Sequence, residues 1–199
     1  MNDDRRIFLL RHGETEWSKS GQHTGRTDLP LTEAGRAMAR RSAPMLSHVA
    51  FAKVLCSPLR RARQTCELAG LAQQATFDDD LVEWHYGRYE GLTSVQIHEQ
   101  RPGWDVFEDG GPDGESPGDV ARRVERVIRR VEQIDGNIAI VAHGHLLRVL
   151  TARWLGRPAD FGRNLLFDTG RYSILSYYHG EARAIECWNV LPSVEQLEE

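Results

Sequence analysis

The order of apolar and polar runs along the chain predicts strands that alternate with helices. Apolar runs at 7–10, 52–56 and 137–142 have the length of buried strands. The last of them, N-I-A-I-V-A, is apolar at nearly every position, which is typical of a strand covered on both faces. Each run is followed by a segment that contains glycine or proline and carries polar side chains. The pattern therefore predicts strand ends that carry candidate functional groups.

Helices are predicted between these strands from start signals and helical spacing. A helix is expected over 32–46, and Pro44 should end or kink it. Ser57-Pro58 supplies an N-cap and a first-turn residue, so a second helix is expected to follow. A short helix is predicted over 93–100, and Ser116 begins a long helix with an apolar stripe.

The remaining segments complete an α/β pattern. They are predicted to be loops over 13–30 and 101–119, and short strands at 81–82, 165–167, 172–178 and 183–190. The whole order predicts a three-layer α/β/α sandwich with a mostly parallel central sheet. No linker divides residues 1–199, so one domain is expected, with 84–119 as an inserted loop or cap. The strand at 172–178 is either an edge that pairs with another copy in a homo-oligomer or a strand covered within the chain.

Composition narrows the functional classes. The 199 residues are 40% hydrophobic and 27% charged, with a net charge of −4. That charge gives no general attraction to nucleic acid or to an anionic membrane, and no apolar stretch approaches the ~20 residues that span a bilayer. The three cysteines lack C-x-x-C spacing, which fits free thiols in a reducing compartment and excludes a zinc ribbon. A cytoplasmic protein is therefore expected.

The first strand ends in Arg11-His12-Gly13, which has the parts that a phosphorylated substrate requires. An imidazole nucleophile lies in a turn, a fixed positive charge lies beside it, and the glycine leaves room for approach. Three later junctions supply Arg60, Glu83 and His143. If the four strands are parallel neighbours, their carboxyl ends bring these groups into one pocket. Helix N-termini after the second and fourth junctions would add backbone N–H donors.

Two of these candidates have close competitors in the sequence. Arg60 is preferred to Arg61 and Arg63, because a solvated helix face suits the latter two. Glu83 is preferred to Glu90, because we interpret Glu90 as a residue that holds the loop together. Arg60 and Glu83 are therefore the predicted site residues of these two segments.

Six short segments form a pattern that extends over most of the chain. They are L-R-H-G-E-T-E-W-S (10–18), T-G-x-T-D-x-P-L-T (24–32), S-P-L-x-R-A-x-Q-T (57–65), E-W-x-Y-G-x-Y-E-G (83–91), G-E-S (114–116) and V-A-H-G-H (141–145). In this order they resemble the histidine phosphatase superfamily, the phosphoglycerate mutase-like proteins. The stretch 15–32 is most similar to the small phosphatases of the sedoheptulose-bisphosphatase-like and acid-phosphatase-like branch.

The resemblance implies a phosphoglycerate mutase-like fold and a metal-independent phosphomonoesterase without a cofactor. His12 would be the nucleophile that carries the phosphoryl group, and it must be neutral to attack. Arg11, Arg60 and His143 would bind the equatorial oxygens of that group. Glu83 would protonate the leaving oxygen and later take a proton from water, which predicts an acidic-to-neutral pH optimum.

Substrate contacts follow from the same resemblance and from proximity to the catalytic candidates. The predicted binding residues are Ser18, His23, Thr24, Gly25, Tyr86, Gly144 and His145. Many relatives have asparagine where this chain has Ser18, so the phosphate contact there is expected to differ. Arg148 is a further candidate for specificity. The expected ligand is a small phosphorylated metabolite, with sugar phosphates or bisphosphates implied by the resemblance.

Three alternatives are weighed against this interpretation. A phosphoglycerate mutase would use the same pocket, but mutases usually carry a longer, lysine-containing insertion, and only 23 residues, none of them lysine, lie between Gly91 and Glu115. A metal-dependent hydrolase could use His12, Glu83, His143 and His145, since an H-x-H pair can bind a metal, but two arginines at one centre would repel a cation and no Asp cluster accompanies it. A non-catalytic phosphate-binding module is disfavoured because every expected catalytic side chain is present.

Overall fold

The computed structural model describes residues 5–192, in which six strands form one mixed sheet. The strands are β1 (Ile7–Arg11), β2 (Phe51–Cys56), β3 (Ala75–Phe77), β4 (Asn137–Ala142), β5 (Tyr172–Tyr178) and β6 (Ala182–Val190). Their order across the sheet is β3-β2-β4-β1-β5-β6. Strands β1 to β4 pair in parallel, whereas β5 pairs antiparallel with both β1 and β6. The predicted, mostly parallel sheet is confirmed.

An α-helix is the next element after β1, β2 and β4, as the sequence pattern predicts. The α-helices of the described residues are α1 (Glu16–Ser20), α2 (Glu33–Ser47), α3 (Arg60–Leu68), α4 (Ser94–Gln100), α5 (Val106–Asp109), α6 (Pro117–Glu132) and α7 (Gly144–Trp154). Helix α2 continues three residues past Pro44. Helix α6 begins after Ser116, whose hydroxyl accepts a hydrogen bond from the amide of Asp119 in a capping box. Within residues 5–192, none of the helices is both long enough and apolar enough to cross a bilayer.

The side chains of β4 show how the helices cover both faces of the sheet. Successive strand residues point to opposite faces. Ile138 and Ile140 therefore join the core cluster of α6 and α7, while Ala139 and Val141 join the cluster of α2 and α3. The predicted three-layer arrangement follows from these two cores.

The segment 84–119, which the sequence analysis interprets as an insertion, packs on the core that also contains α6 and α7. Its side chains Trp84, Trp104 and Phe107 are buried in that cluster. The part predicted as an irregular loop contains the short helix α5, which begins after Asp105 because its Oδ1 accepts a hydrogen bond from the amide of Phe107 at 2.8 Å. The segment thereby places aromatic rings beside the carboxyl ends of the strands.

Several local predictions are corrected by the structure. The pair 81–82 is not a strand, because a 3-10 turn at Asp79–Leu81 precedes Glu83; the strand in this region is β3, which the sequence analysis missed. No strand forms at 165–167, where the chain leaves a 3-10 turn at Ala159–Asn164. Helix α1 lies within the predicted loop 13–30. Strand β5 is covered by β6 within the chain, so it is not an edge.

Candidate active site

The carboxyl ends of β1 and β4 bring two of the predicted catalytic residues together. Arg11 pairs with Ala142 in the parallel register, and the amide of His12 donates to the carbonyl of Ala142 at 3.0 Å. The next residue after β4 is His143, whose ring centroid lies 5.2 Å from that of His12. His12 is 4% exposed and His143 is fully buried. The convergence expected for these two strand ends is therefore present.

The turn after β1 depends on a close backbone approach at Gly13. A Cβ atom at this position would lie 2.2 Å from the carbonyl oxygen of Gly35 in α2, so a larger residue could not fit. The amide of Gly13 donates to the hydroxyl of Thr65 in α3 at 3.1 Å. The turn that carries His12 is thus fixed by helices on the α2 and α3 side of the sheet.

The hydrogen bond of His12 defines which ring nitrogen can react. Its Nδ1 lies 2.7 Å from the carbonyl oxygen of Gly13, and a carbonyl can only accept, so Nδ1 carries the proton. In the neutral ring, Nε2 then has a free lone pair. Burial and the guanidinium groups of Arg61 and Arg11 hold the pKa of His12 well below its ordinary value. The ring is therefore neutral and nucleophilic at physiological pH.

Arg61, and not Arg60, is the arginine that α3 directs toward the two histidines. Arg61 is fully buried, and its Nε donates to Nδ1 of His143 at 3.1 Å. Its Nη2 donates to the carbonyl oxygens of Thr24 and Gly25 at 3.1 and 2.8 Å. Its guanidinium therefore joins the histidine pair to the loop around residue 25.

The prediction that Arg60 belongs to the site is corrected by the structure. Arg60 is exposed, and its backbone amide donates to Oδ1 of Asp28 at 2.6 Å. Consecutive residues of a helix point about 100° apart, so Arg60 and Arg61 cannot both face the site. The motif S-P-L-x-R-A-x-Q-T already held the signal, because its fixed arginine is the fifth position, which is Arg61.

His143 has both ring nitrogens engaged inside the protein. Nδ1 accepts from Arg61, so the neutral ring carries its proton on Nε2, which lies 2.7 Å from the hydroxyl oxygen of Ser57. Burial and the charges of Arg61, His12 and Arg11 lower the pKa of His143 well below its ordinary value. His143 thus lies beneath His12 rather than at the cavity surface, and Ser57 serves as its partner instead of the predicted helix cap.

Glu83 occupies the N-terminus of α7. Its Oε1 accepts hydrogen bonds from the amides of Trp84 and Leu146, both at 2.9 Å, and its Oε2 accepts from the amide of His145 at 3.1 Å. The amides predicted to bind phosphate at this helix end therefore bind the carboxylate instead. Glu83 is 5% exposed and lines the cavity beside His12, where it can exchange a proton with a bound ligand.

Arg11 lies under the first residue of α7. Its Nη1 donates to the carbonyl of Phe167, and a Cβ atom on Gly144 would approach its Cζ to 2.9 Å. Within residues 5–192, its buried Nε has no hydrogen-bond partner. Burial lowers the pKa of Arg11 from its ordinary value, while the charge of Glu83 acts in the opposite direction.

A cavity of about 170 Å³ opens above these groups. We call Arg11, His12, Arg61, Glu83 and His143 the floor, of which Arg11, His12 and Glu83 line the cavity directly. We call His23, Tyr86, His145 and Arg148 the wall, and all four line the cavity.

The wall is held by contacts between side chains. The hydroxyl of Tyr86 lies 2.5 Å from Nδ1 of His145, and the ring centroid of His23 lies 4.9 Å from that of Tyr86. Burial raises the pKa of Tyr86 and lowers the pKa of His145, so the phenol is the donor and the imidazole the acceptor. The neutral His145 then carries its proton on Nε2.

The predicted substrate-binding residues divide into two groups. The cavity is lined by Ser18, His23, Thr24, Tyr86, Gly144 and His145. Gly25 lies behind it, where its amide donates to Oε1 of Glu90 at 2.8 Å and its carbonyl accepts from Arg61. The amide of Thr27 also donates to Glu90, so this carboxylate holds the loop as the sequence analysis interpreted.

Ser18 has a structural role in addition to its place at the cavity. Its hydroxyl accepts from the amide of Thr15 at 2.8 Å and donates to the carbonyl of Thr15 at 3.0 Å, which closes a capping box at the start of α1. The position at which the resemblance implies a common asparagine is therefore tied to the helix here.

Comparisons with known proteins agree with this geometry. The family model described as histidine phosphatase superfamily (branch 1) matches residues 7–191. An acid phosphatase of Mycobacterium tuberculosis is 38% identical over 181 residues, which cover 89% of each chain. A sedoheptulose 1,7-bisphosphatase of Saccharomyces cerevisiae is 36% identical and covers 76% of this chain and 68% of its own.

Solved structures of phosphatases and related proteins also resemble this chain in fold. The product of an open reading frame of Mycobacterium tuberculosis superposes with a TM-score of 0.90 at 36% identity, covering 96% of this chain and all of that one. A mycobacterial glucosyl-3-phosphoglycerate phosphatase in complex with VO3 superposes with a TM-score of 0.83 at 29% identity, covering 94% and 99%. Fold and site thus define a phosphatase with a histidine at its centre. The chain belongs to the histidine phosphatase superfamily and is a phosphatase of that superfamily.

Proposed function

We propose that the protein hydrolyses small phosphomonoesters through a phosphoryl group carried on Nε2 of His12. The observation that carries this proposal is the hydrogen bond from Nδ1 of His12 to the carbonyl of Gly13. It leaves a neutral nitrogen with a lone pair beside the cavity, and the positive charges of Arg11 and Arg61 are close enough to lower the pKa of that ring. A nucleophile and a cation for phosphate oxygens thus share one small space.

The reaction has two steps. In the first, Nε2 of His12 attacks phosphorus, the bond from phosphorus to the alcohol oxygen breaks, and Glu83 donates a proton to that oxygen. In the second, Glu83 takes a proton from water, the water oxygen attacks phosphorus, and the P–N bond breaks to release inorganic phosphate. Arg11 neutralises the phosphoryl oxygens at the cavity surface, whereas Arg61 acts from below and holds His143 in place.

The substrate is proposed to be a small phosphorylated metabolite. The cavity of about 170 Å³ admits a phosphate and the atoms next to it. The relatives named above are an acid phosphatase, a sugar bisphosphatase and a glucosyl-3-phosphoglycerate phosphatase. Sugar phosphates or bisphosphates are therefore the first compounds to test.

We propose that the reaction needs neither a metal nor another cofactor. Arg11 and Arg61 bring two positive charges to the centre, which opposes a cation there. Both ring nitrogens of His143 are engaged, and Glu83 accepts three backbone hydrogen bonds. Activity should therefore survive a chelator in full; loss that added zinc restores would favour the metal-dependent alternative.

A phosphoglycerate mutase remains the second candidate for the same pocket. It is supported by the shared fold, whereas the short lysine-free insertion and the names of the relatives favour a phosphatase. Release of phosphate compared with isomerisation of 3-phosphoglycerate separates the two activities.

We propose that the enzyme is located in the cytoplasm. Cys56 and Cys66 are buried free thiols, which suit a reducing compartment. The net charge of −4 favours small-molecule substrates over nucleic acid or membrane partners. A homo-oligomer stays a prediction of the sequence.

The decisive experiment traps the covalent intermediate. Rapid quenching with a ³²P-labelled phosphomonoester should label the protein with an acid-labile, alkali-stable phosphohistidine at His12. His12→Ala should lose the label and the turnover, with phosphate binding weakened but measurable, while the exposed His179→Ala should keep both. A label on another side chain, or unchanged turnover of His12→Ala, would overturn the mechanism.

A further inference from the structure

A second space adjoins the catalytic cavity. This outer chamber of about 270 Å³ is lined in part by Trp104, Asp105, Phe107 and Arg163. It shares His23, His145 and Arg148 with the catalytic cavity. Because the two spaces share these residues, the outer chamber is the neighbouring space into which the alcohol part of an ester bound beside His12 can extend.

The two guanidinium groups that line the outer chamber already have partners within the protein. Nη2 of Arg163 lies 2.5 Å from Oε1 of Glu108 and 3.5 Å from Oδ2 of Asp105. Arg148 donates from Nε and Nη2 to backbone carbonyls, both at 2.9 Å. Arg163 is thus already paired with two carboxylates, and Arg148 is already engaged by two backbone carbonyls. A second phosphate would have to displace these partners and would lie beside the carboxylate of Asp105, which lines the chamber.

The imidazoles of the chamber add donors without adding charge. Burial lowers the pKa of His23 to about 4, and burial with the charge of Arg148 holds the pKa of His145 well below its ordinary value. Both rings are neutral at physiological pH. With its proton on Nε2, His145 presents an uncharged N–H donor, while Asp105 supplies carboxylate oxygens as acceptors.

Flat rings supply the apolar part of the chamber. The ring of His23 meets that of Trp104 edge to face, with centroids 5.2 Å apart, and the ring of Phe107 meets that of His145 in the same way at 5.2 Å. The guanidinium of Arg148 lies over Phe107, 4.5 Å from its centroid. Aromatic surfaces combined with a few neutral donors and acceptors suit a ring that has C–H faces and hydroxyl groups.

We propose that the outer chamber binds a neutral, hydroxyl-bearing ring of the leaving alcohol, so that the enzyme prefers cyclic sugar monophosphates to sugar bisphosphates. This inference rests on the proposed function, because the ring enters the chamber as part of the ester whose phosphate reaches His12.

Three esters test the inference. Glucose 6-phosphate offers the neutral ring, glucose 1,6-bisphosphate adds a second phosphate, and glycerol 3-phosphate lacks the ring. We expect kcat/KM for glucose 6-phosphate to exceed that of each of the others by roughly tenfold. A bisphosphate that reacts as fast or faster would show an anion subsite instead, and equal rates with glycerol 3-phosphate would show that the chamber holds no ring; either result overturns the proposal.

A charge variant sharpens the test. Asp105→Asn keeps a side-chain oxygen that can cap α5 but removes one negative charge from the chamber. The preference for monophosphate over bisphosphate should fall several-fold. Asp113→Asn, at an exposed acid of the same insertion that pairs with Arg88, should leave the preference unchanged. Equal effects of the two substitutions would contradict the assignment of Asp105 to the chamber.

Binding measurements distinguish a failure of this inference from a failure of the proposed function. Calorimetric titration of the three esters into His12→Ala protein should give the same ranking as turnover. Wild-type protein that binds with this ranking but hydrolyses none of the esters would overturn the proposed function alone. Hydrolysis of all three without a ranking in binding would overturn the chamber proposal alone.

Discussion

The floor and the wall of the cavity are held in place by different kinds of contact. Floor residues bond mainly to the backbone: Glu83 accepts three amide hydrogen bonds, and Arg61 donates to carbonyl oxygens of the loop around residue 25. Three wall residues, His23, Tyr86 and His145, are held by contacts between their rings and by the hydrogen bond of Tyr86 to His145, whereas Arg148 donates to backbone carbonyls. Because the backbone positions follow from the fold, the floor is tied to the sheet and its helices. The wall depends on a few side chains and is the part that substitution can reshape.

The largest effect is expected from the carboxylate of the floor. Glu83→Gln removes the proton donor and should lower kcat for an alkyl phosphate by about 10²- to 10⁴-fold. The amide oxygen can still accept from Trp84 and Leu146, but its NH2 group would face the amide of His145, so a loss of about 1–3 kcal/mol in stability is also expected. Steady-state kinetics on folded protein and urea unfolding measure the two effects. Retention of most of the wild-type kcat would exclude Glu83 as the acid.

The two arginines at the start of α3 give the next test. Arg61→Ala should lower kcat/KM by about 10²- to 10³-fold, because the floor loses a buried charge that stabilises the transition state. The adjacent, exposed Arg60→Ala should have little effect. Phosphate release by both variants, with circular dichroism as a check of folding, measures the difference. A larger effect of the Arg60 substitution would show that Arg60, as predicted from the sequence, is the site residue of α3.

A smaller effect is expected where Gly144 packs on Arg11. In Gly144→Ala the added methyl would lie 2.9 Å from Cζ of Arg11, so the guanidinium must move, and kcat/KM should fall by about 10- to 100-fold. Gly118→Ala is the matched control, because its Cβ would make only ordinary contacts, the nearest at 3.5 Å. Thermal unfolding should change little in the control. Equal activity of the two variants would indicate that the position of Arg11 is not critical.

The smallest effect concerns the wall and pH. The pKa of His23 is about 4 in the folded protein and 6.5 in an ordinary setting. Between these values the unfolded chain binds a proton that the folded chain does not, so the free energy of unfolding falls as pH falls through this window. His23→Gln should reduce that slope by about 1.4 kcal/mol per pH unit. Urea unfolding at pH 5, 6 and 7 measures it. An unchanged slope would show that His23 binds its proton equally well in the folded and the unfolded chain.

Much of the fold follows from local sequence, and the misses have physical causes. Strand β4 was predictable because every residue from Ile138 to Ala142 is buried. Strand β3 was missed because it lies at a sheet edge with Phe77 half-exposed, which leaves no apolar run. The apolar pair at 81–82 is too short to distinguish a strand from a turn.

The site was predictable as far as strand ends and motifs determine it. His12 and His143 are brought together because β1 and β4 are parallel neighbours, whereas Glu83 follows a 3-10 turn and is bound by amides at the N-terminus of α7. The choice of Arg60 failed because residues next to each other in a helix cannot be ranked without knowing which face is buried. The outer chamber depends on how segment 84–119 folds back over α7, and nothing in residue types reveals that packing.

The loop from 24 to 27 is satisfied from both sides by two distant side chains. Glu90 accepts from its amides, and Arg61 donates to its carbonyls. The conformation of the loop is therefore fixed by Glu90 and Arg61, which lie elsewhere in the chain. The side chain of Arg26 is exposed and is not needed to hold the loop. Position 26, two residues from Thr24 in the cavity lining, is therefore a natural entry point for directed evolution, where new side chains can be sampled without disturbing the scaffold.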